Sequence, residues 1–304
     1  MIATIAAHQF RSLRRRRVLS AFGAIMIAVT VLAGVIGWSS HRTIARVYNE
    51  AVVLLGADGG AAPPNPFELK PTLSLLSNMA IYVPLIGALL ALIVGNLSIA
   101  DDQSSGIGRL IFSRQVSRSS YFLGKLLGTT AVVAVVLAAS LFVSIVALLV
   151  ANETAPDVGD LSRLVLFYAV SWLYLMVFVL IGMVTVLCTE RRSLALLSAI
   201  GVWLVITFAV PQFTSGLRPT ASLNPVTDPV STTQTFFRIT SHARPFSVSE
   251  QYKHASAQIL DTASGSAANA LVRILPIAGL AVSLALAAFW LVGRHDYSRS
   301  TSSG

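Results

Sequence analysis

Of the 304 residues, 55% are hydrophobic and 12% are charged, and the mean hydropathy is +0.74. An average soluble domain carries about twice that charge, roughly 25%. No water-soluble fold of this size hides so much apolar surface, because about half of its area still faces water. The net charge of +9 does not read as a nucleic-acid surface, since the basic residues sit at the ends of apolar runs rather than beside aromatic readers on one face.

The first segment, Ile2–Arg17, has Ile2, Ala6, Phe10 and Leu13 at helical spacing, with His8, Arg11, Ser12 and Arg14 pointing elsewhere. This is the pattern of a basic amphipathic helix lying in a membrane interface, with anionic lipid as its partner. Crossing the bilayer takes about 20 apolar residues. Six segments qualify: Val18–Trp38, Met79–Ile99, Leu126–Ala151, Leu164–Cys188, Leu194–Val210 and Ile274–Val292. The first is too long for the apolar core of a signal peptide and has no clean small-x-small cleavage site. Leu194–Val210 is the shortest, and Pro211 and Gln212 mark its end.

Two long connections separate the spans. Residues 39–74 carry Gly-Gly-Ala-Ala-Pro-Pro-Asn-Pro, a turn-rich break between short elements. Residues 213–272 hold prolines at 219, 225, 229 and 245, then Val248–Thr262, which reads as a short helix on the outer surface. The expected fold class is therefore an all-α integral membrane protein, one transmembrane domain over residues 1–304.

Lysine and arginine set the orientation. With the N-terminus inside, thirteen of the 22 basic residues but only four of the thirteen acidic ones fall on the cytoplasmic side. All of the net charge then lies there, and both termini are cytoplasmic. The expected location is a prokaryotic cytoplasmic membrane.

Chemistry is hard to find. There is no G-x-x-x-x-G-K-[ST], no H-E-x-x-H and no cysteine cluster, and no pair of the five histidines has ligand spacing on one helix. Cys188 reads as a small core residue. No catalytic or metal-binding residue is assigned. The spans contain essentially no ionisable side chain, which argues against an ion-coupled transporter. Such a chain takes its energy from a partner.

The informative connection runs from Asp101 to Lys125. Asp101 and Asp102 end the second span, Gly106 and Gly108 permit a tight turn, and Arg109–Arg114 offers a short helix with Leu110, Ile111 and Phe112 free to dock. Ser117 can cap the next helix, which Lys125 anchors at the interface.

The order of an acidic residue, glycine, a short apolar helix, the turn Gln115-Val116-Ser117-Arg118 and then Leu123-Gly124-Lys125 resembles the cytoplasmic loop of ABC-2 type permease subunits. Further on, Leu223-Asn224-Pro225-Val226, Phe236-Phe237-Arg238 and Phe246 to Tyr252 resemble outer-loop motifs of the same family. They look most like the branch that includes the permease of nitrous-oxide-reductase maturation. Gln115 stands where proline is usual, Asp102 where glutamate is common, and Ile107 where threonine is common.

The resemblance implies a permease without ATPase activity, paired with a second copy as a homodimer and with two ABC ATPase subunits. ATP and Mg would be bound by the ATPase and not by this chain. Asp102, Gly106, Arg109, Leu110, Ile111, Phe112, Arg114 and Arg118 would form the coupling segment that receives motion from it, and the N-terminal helix would support that interface. The second and fifth spans would line the path, with Asn78, Tyr82 and Asn96 on one and Trp203 and Thr207 on the other. The alternative is a membrane scaffold that binds an extracytoplasmic protein through residues 213–272.

Overall fold

The computed structural model describes residues 1–57, 72–104, 117–151, 156–189, 191–214, 239, 241–260 and 267–294. All the regular structure among these residues is helical. The elements are α1 (Ile2–Arg15), α2 (Val18–Ala57), a 3-10 turn (Thr72–Leu76), α3 (Met79–Tyr82), a π-helical segment (Val83–Gly87), α4 (Ala88–Ser104), α5 (Arg118–Ala151) and α6 (Val158–Cys188). They continue with α7 (Arg192–Leu204), a second π-helical segment (Val205–Ala209), α8 (Val210–Thr214), a 3-10 turn (Ser241–Phe246), α9 (Val248–Ile259) and α10 (Ala267–Arg294).

Among the described residues, six helical runs are long and apolar enough to cross a bilayer: Val18–Leu55, Leu73–Asp102, Arg118–Val150, Val158–Cys188, Arg192–Thr214 and Ala270–Arg294. The fifth, the shortest in the sequence reading, is a continuous run of 23 residues. At about 1.5 Å per residue it reaches roughly 34 Å, enough to cross.

The core is the α4–α6 pair. A Cβ at Gly95 would fall on the Val179 carbonyl oxygen, and one at Gly182 on the Leu92 carbonyl oxygen. Glycine at both positions lets the two backbones touch, which is how helices gain dispersion contact where lipid removes the hydrophobic drive. Hydroxyl pairs add to this: Ser144 Oγ and Tyr168 OH lie 2.7 Å apart, joining α5 to α6.

Two segments depart from the sequence reading. Residues 39–57, expected to be part of a connection outside the first span, continue α2, which runs for 40 residues. That is about 60 Å, twice the hydrocarbon thickness. The turn-rich stretch 59–66 lies outside the described residues. The turn-forming residues begin only at Asp58, so nothing in 39–57 stops the helix.

The second departure is α9. It does not lie on the outer surface. Val248, Tyr252, Ala255, Ser256 and Ile259 are buried, and α9 is wedged against α6, α10 and the second π segment. Tyr252 OH lies 2.7 Å from Ser171 Oγ, its ring stacks on Tyr174 at 4.4 Å, and Tyr174 OH lies 3.0 Å from Ser249 Oγ. Ser171 is about 20 Å along α6 from Val158, so α9 reaches deep into the bundle. Removing one of these hydroxyls leaves its partner without it at a dry site. Tyr252→Phe is therefore expected to lower stability by about 1–2 kcal/mol, read as a lower thermal midpoint in detergent, whereas Lys253→Ala on the exposed face leaves it unchanged.

Candidate functional site

Ten of the sixteen described lysines and arginines, Arg11, Arg14 to Arg17, Arg118, Lys125, Arg191, Arg192 and Arg294, gather at one end of the bundle, where α1, the end of α4, the start of α5 and the start of α7 meet. Arg17, in the left-handed backbone region at φ 59°, turns the chain from α1 into α2. Left-handed backbone strains any side chain other than glycine, so α1 leaves the span at a defined corner. Its exposed residues include His8, Arg11, Arg14 and Arg15, with Arg16 and Arg17 exposed just beyond it, while Gln9 and Leu13 are buried.

α1 lies on α5 at Gly124 and Gly128. A Cβ at Gly124 would sit 2.7 Å from Ile5 Cβ, and one at Gly128 the same distance from the Ala6 carbonyl oxygen. Gly-x-x-x-Gly thus forms the groove that seats the amphipathic helix. This places Gln9 directly over the start of α5.

Between them lies a buried polar cluster. Lys125 Nζ is 2.7 Å from Asp102 Oδ2 and donates to Gln9 Oε1 at 2.6 Å. Tyr121 OH donates to the same Asp102 oxygen at 2.8 Å. The side chains of Lys125 and Asp102 are only 4% and 9% exposed, so this ion pair is dry. Lys125 is therefore not an interfacial anchor as its position at a span end suggests. It closes the gap between α1, α4 and α5.

Asp101 makes a second, wetter junction. Its Oδ1 lies 2.9 Å from Arg16 and 3.1 Å from Arg192, both half-exposed. One carboxylate thus joins the α1–α2 corner to the start of the fifth span. Such exposed pairs contribute little stability; their value is positional. On the other side of residues 105–116, Ser117 Oγ accepts the Ser120 N–H at 3.2 Å and caps α5. Arg118 donates to the last carbonyls of α10, at Val292 and Gly293. A cation at a helix C-terminus meets both the orphan carbonyls and the negative end of the macrodipole.

Of the residues assigned to coupling, Asp102 and Arg118 are thus in place at the two ends of the connection. Gly106, Arg109, Leu110, Ile111, Phe112 and Arg114 lie outside the described residues. Gln9, Tyr121, Lys125 and Arg192 are not among the residues that the sequence assigned to coupling. Gly124 and Gly128 were the available signal, since a small-residue pair four apart at a span end calls for a docked helix.

Of the path residues, Trp203 and Thr207 are buried on one face of the fifth span. Trp203 Nε1 donates to the Pro84 carbonyl at 3.4 Å. The Thr207 hydroxyl comes close to Tyr174 OH without hydrogen-bond geometry. Asn96 is buried beside Gly182 at the α4–α6 crossing, and Asn78 and Tyr82 are half-buried beyond the first π segment. That segment adds a residue to the turn and rotates Tyr82 by about 100° relative to Asn96, compared with an unbroken α-helix. The three are not one stripe.

A helical chain with six spans, a docked amphipathic helix and a polar junction at the base of one connection fits a known family. Residues 3–296 match the family described as ABC-2 family transporter protein. The chain belongs to that family. No curated protein matches it as a relative. As an ABC-2 transporter protein it is the membrane component of an ABC transporter, a multi-pass permease subunit, and membership implies an ABC ATPase as the general partner.

Proposed function

We propose that this permease exports its substrate by taking motion from a separate ATPase through the connection between Asp102 and Arg118, and that its basic end is cytoplasmic. The observation that carries the reading is the dry junction of Lys125 with Asp102, Gln9 and Tyr121. It ties the start of this connection to the docked α1, so a push on residues 105–116 acts on α1, α4 and α5 as one body. Asp101 extends the same push to Arg192 on the fifth span, and Arg118 extends it to the end of the sixth.

The arginines on α1 face anionic headgroups, and the connection faces the ATPase. In this reading two copies of the chain assemble with two ATPase subunits, which bind ATP and Mg. The permeant passes between the copies along the second and fifth spans, near Trp203 and Thr207. The outer-loop motifs favour the branch that includes the nitrous-oxide-reductase maturation permease.

The test is charge reversal. Arg109→Glu with Arg114→Glu, in the full chain, is expected to weaken ATPase association at least ten-fold while the permease still elutes as a single species. Unchanged association removes the coupling assignment. The scaffold reading keeps one specific support, the length of residues 213–272, but α9 within it is seated in the bundle, where it serves the permease rather than a soluble partner.

A further inference from the structure

The second and fifth spans share a backbone irregularity that the ion-pair junction does not explain. In each, one turn is π-helical: the Ala88 N–H bonds to the Val83 carbonyl, and the Val210 N–H to the Val205 carbonyl, both five residues back. The two turns lie at the same height, about 20–29 Å from the basic end when counted along the helices from Asp102 and from Arg192. Single π turns inside α-helices recur at functional sites, and sharp bends occur at such turns and at prolines.

Each π segment has a proline and a side-chain bridge. Pro84 lies within the first, and Pro211 follows the second. Having no N–H, Pro211 leaves the Ile206 carbonyl, five residues back, without its backbone donor. Ser249 of α9 supplies the missing hydrogen bond at 3.1 Å. The Pro84 carbonyl, at the equivalent second position of its segment, receives the Trp203 indole N–H. The two irregular turns are thus bonded at matching positions, one to the other span and one to the buried helix α9. Toward the basic end from this level, by contrast, α4 and α6 are locked backbone to backbone at Gly95 and Gly182.

We infer that the two π segments are a matched pair of hinges, and that Trp203 and Ser249 make the far ends of the second and fifth spans move together with α9. The inference deepens the permease reading and rests on it for what drives the movement. Trp203 is then a positioning residue that joins two hinges, beyond any role as a wall of the path.

The test uses the full chain in lipid nanodiscs with its co-purified ATPase. Cysteines replace Leu161 and Phe213, both exposed, in a Cys188→Ser background, and carry spin labels for distance measurement. The wild-type distance between the start of α6, one continuous helix with the Gly182 crossing, and the far end of the fifth span is expected to shift on adding ATP and Mg with vanadate. Trp203→Phe, which keeps the ring and removes the N–H, should broaden the distribution in both states. Deleting Leu85 from the first π segment converts it to a continuous α-helix without turning the residues beyond it. That variant should stay folded and lose at least half of the shift. Deleting Leu90 from α4 turns them by about 100° and should abolish folding.

If the Leu85 deletion unfolds the chain as fully as the Leu90 deletion, or keeps the full wild-type shift, the hinge assignment is wrong. If instead no ATPase co-purifies, or wild type shows no shift, the permease coupling fails. The folding of the two deletions, together with the width of the nucleotide-free distance distribution in wild type and Trp203→Phe, then still decides the hinges.

Discussion

Lys125→Met is expected to destabilise the chain by about 3–5 kcal/mol, the range for removing one partner of a buried ion pair. The methionine fills most of the volume, so the loss comes from electrostatics. Asp102 would remain a dry carboxylate with Tyr121 OH as its remaining hydrogen-bond donor among the described residues, and Gln9 Oε1 would lose the Lys125 donor. By the same argument, Lys125→Met combined with Asp102→Leu should cost less than Lys125→Met alone, because no orphan charge stays buried. For a chain of this size the single variant corresponds to a thermal midpoint lower by roughly 6–10 °C. Equal midpoints for Lys125→Met and wild type would mean that the pair is solvated and the junction is not a rigid body.

The second large effect is at the α4–α6 crossing. Gly182→Leu places a Cβ on the Leu92 carbonyl oxygen and 2.8 Å from the Asn96 nitrogen. Backbone cannot move aside as a side-chain tip can, so the helices must part along their length. The expected loss is more than about 3 kcal/mol, beyond the usual overpacking cost of 1–3 kcal/mol. It is read as failure to recover a monodisperse protein after detergent extraction. Gly201→Leu is the control, because a Cβ there meets nothing within 4 Å. Similar losses for both would show that any leucine in place of a span glycine is harmful and that the crossing is not special.

Most of the architecture could be read from the sequence because bilayer physics leaves few choices. Runs such as Leu126–Ala151 are too apolar for water and too long for a soluble core helix, and the arginines at 14 to 17 mark one end. The polar junction was only half visible. Asp102 and Lys125 are 23 positions apart on different helices, so no periodicity links them; their pairing depends on how α4 and α5 pack. Gln9 stands on a helix of mixed polarity with nothing in its spacing to single it out, and its seating over Gly124 and Gly128 buries it.

The placement of α9 failed for a different reason. A helix with Ser249, Tyr252, Ser256 and His254 reads as wet. Its burial depends on Ser171 and Tyr174 across the interface, which satisfy its hydroxyls. The Glu250 carboxyl, held above its ordinary range by burial, also belongs to this buried face, with Arg244 Nε 3.7 Å away. The π segments left a trace only in Pro84 and Pro211. Proline announces a disturbed turn, but not whether the helix bends, breaks or widens.

The most direct measurement of the central claim is ATP hydrolysis by the complex purified from its native membrane through a tag on this chain. A separate ATPase subunit should co-purify in equal copies with the permease and give vanadate-sensitive hydrolysis, which the Arg109→Glu, Arg114→Glu variant loses in parallel with the bound subunit. A pure, folded permease with no associated subunit and no hydrolysis above a mock purification would contradict the account.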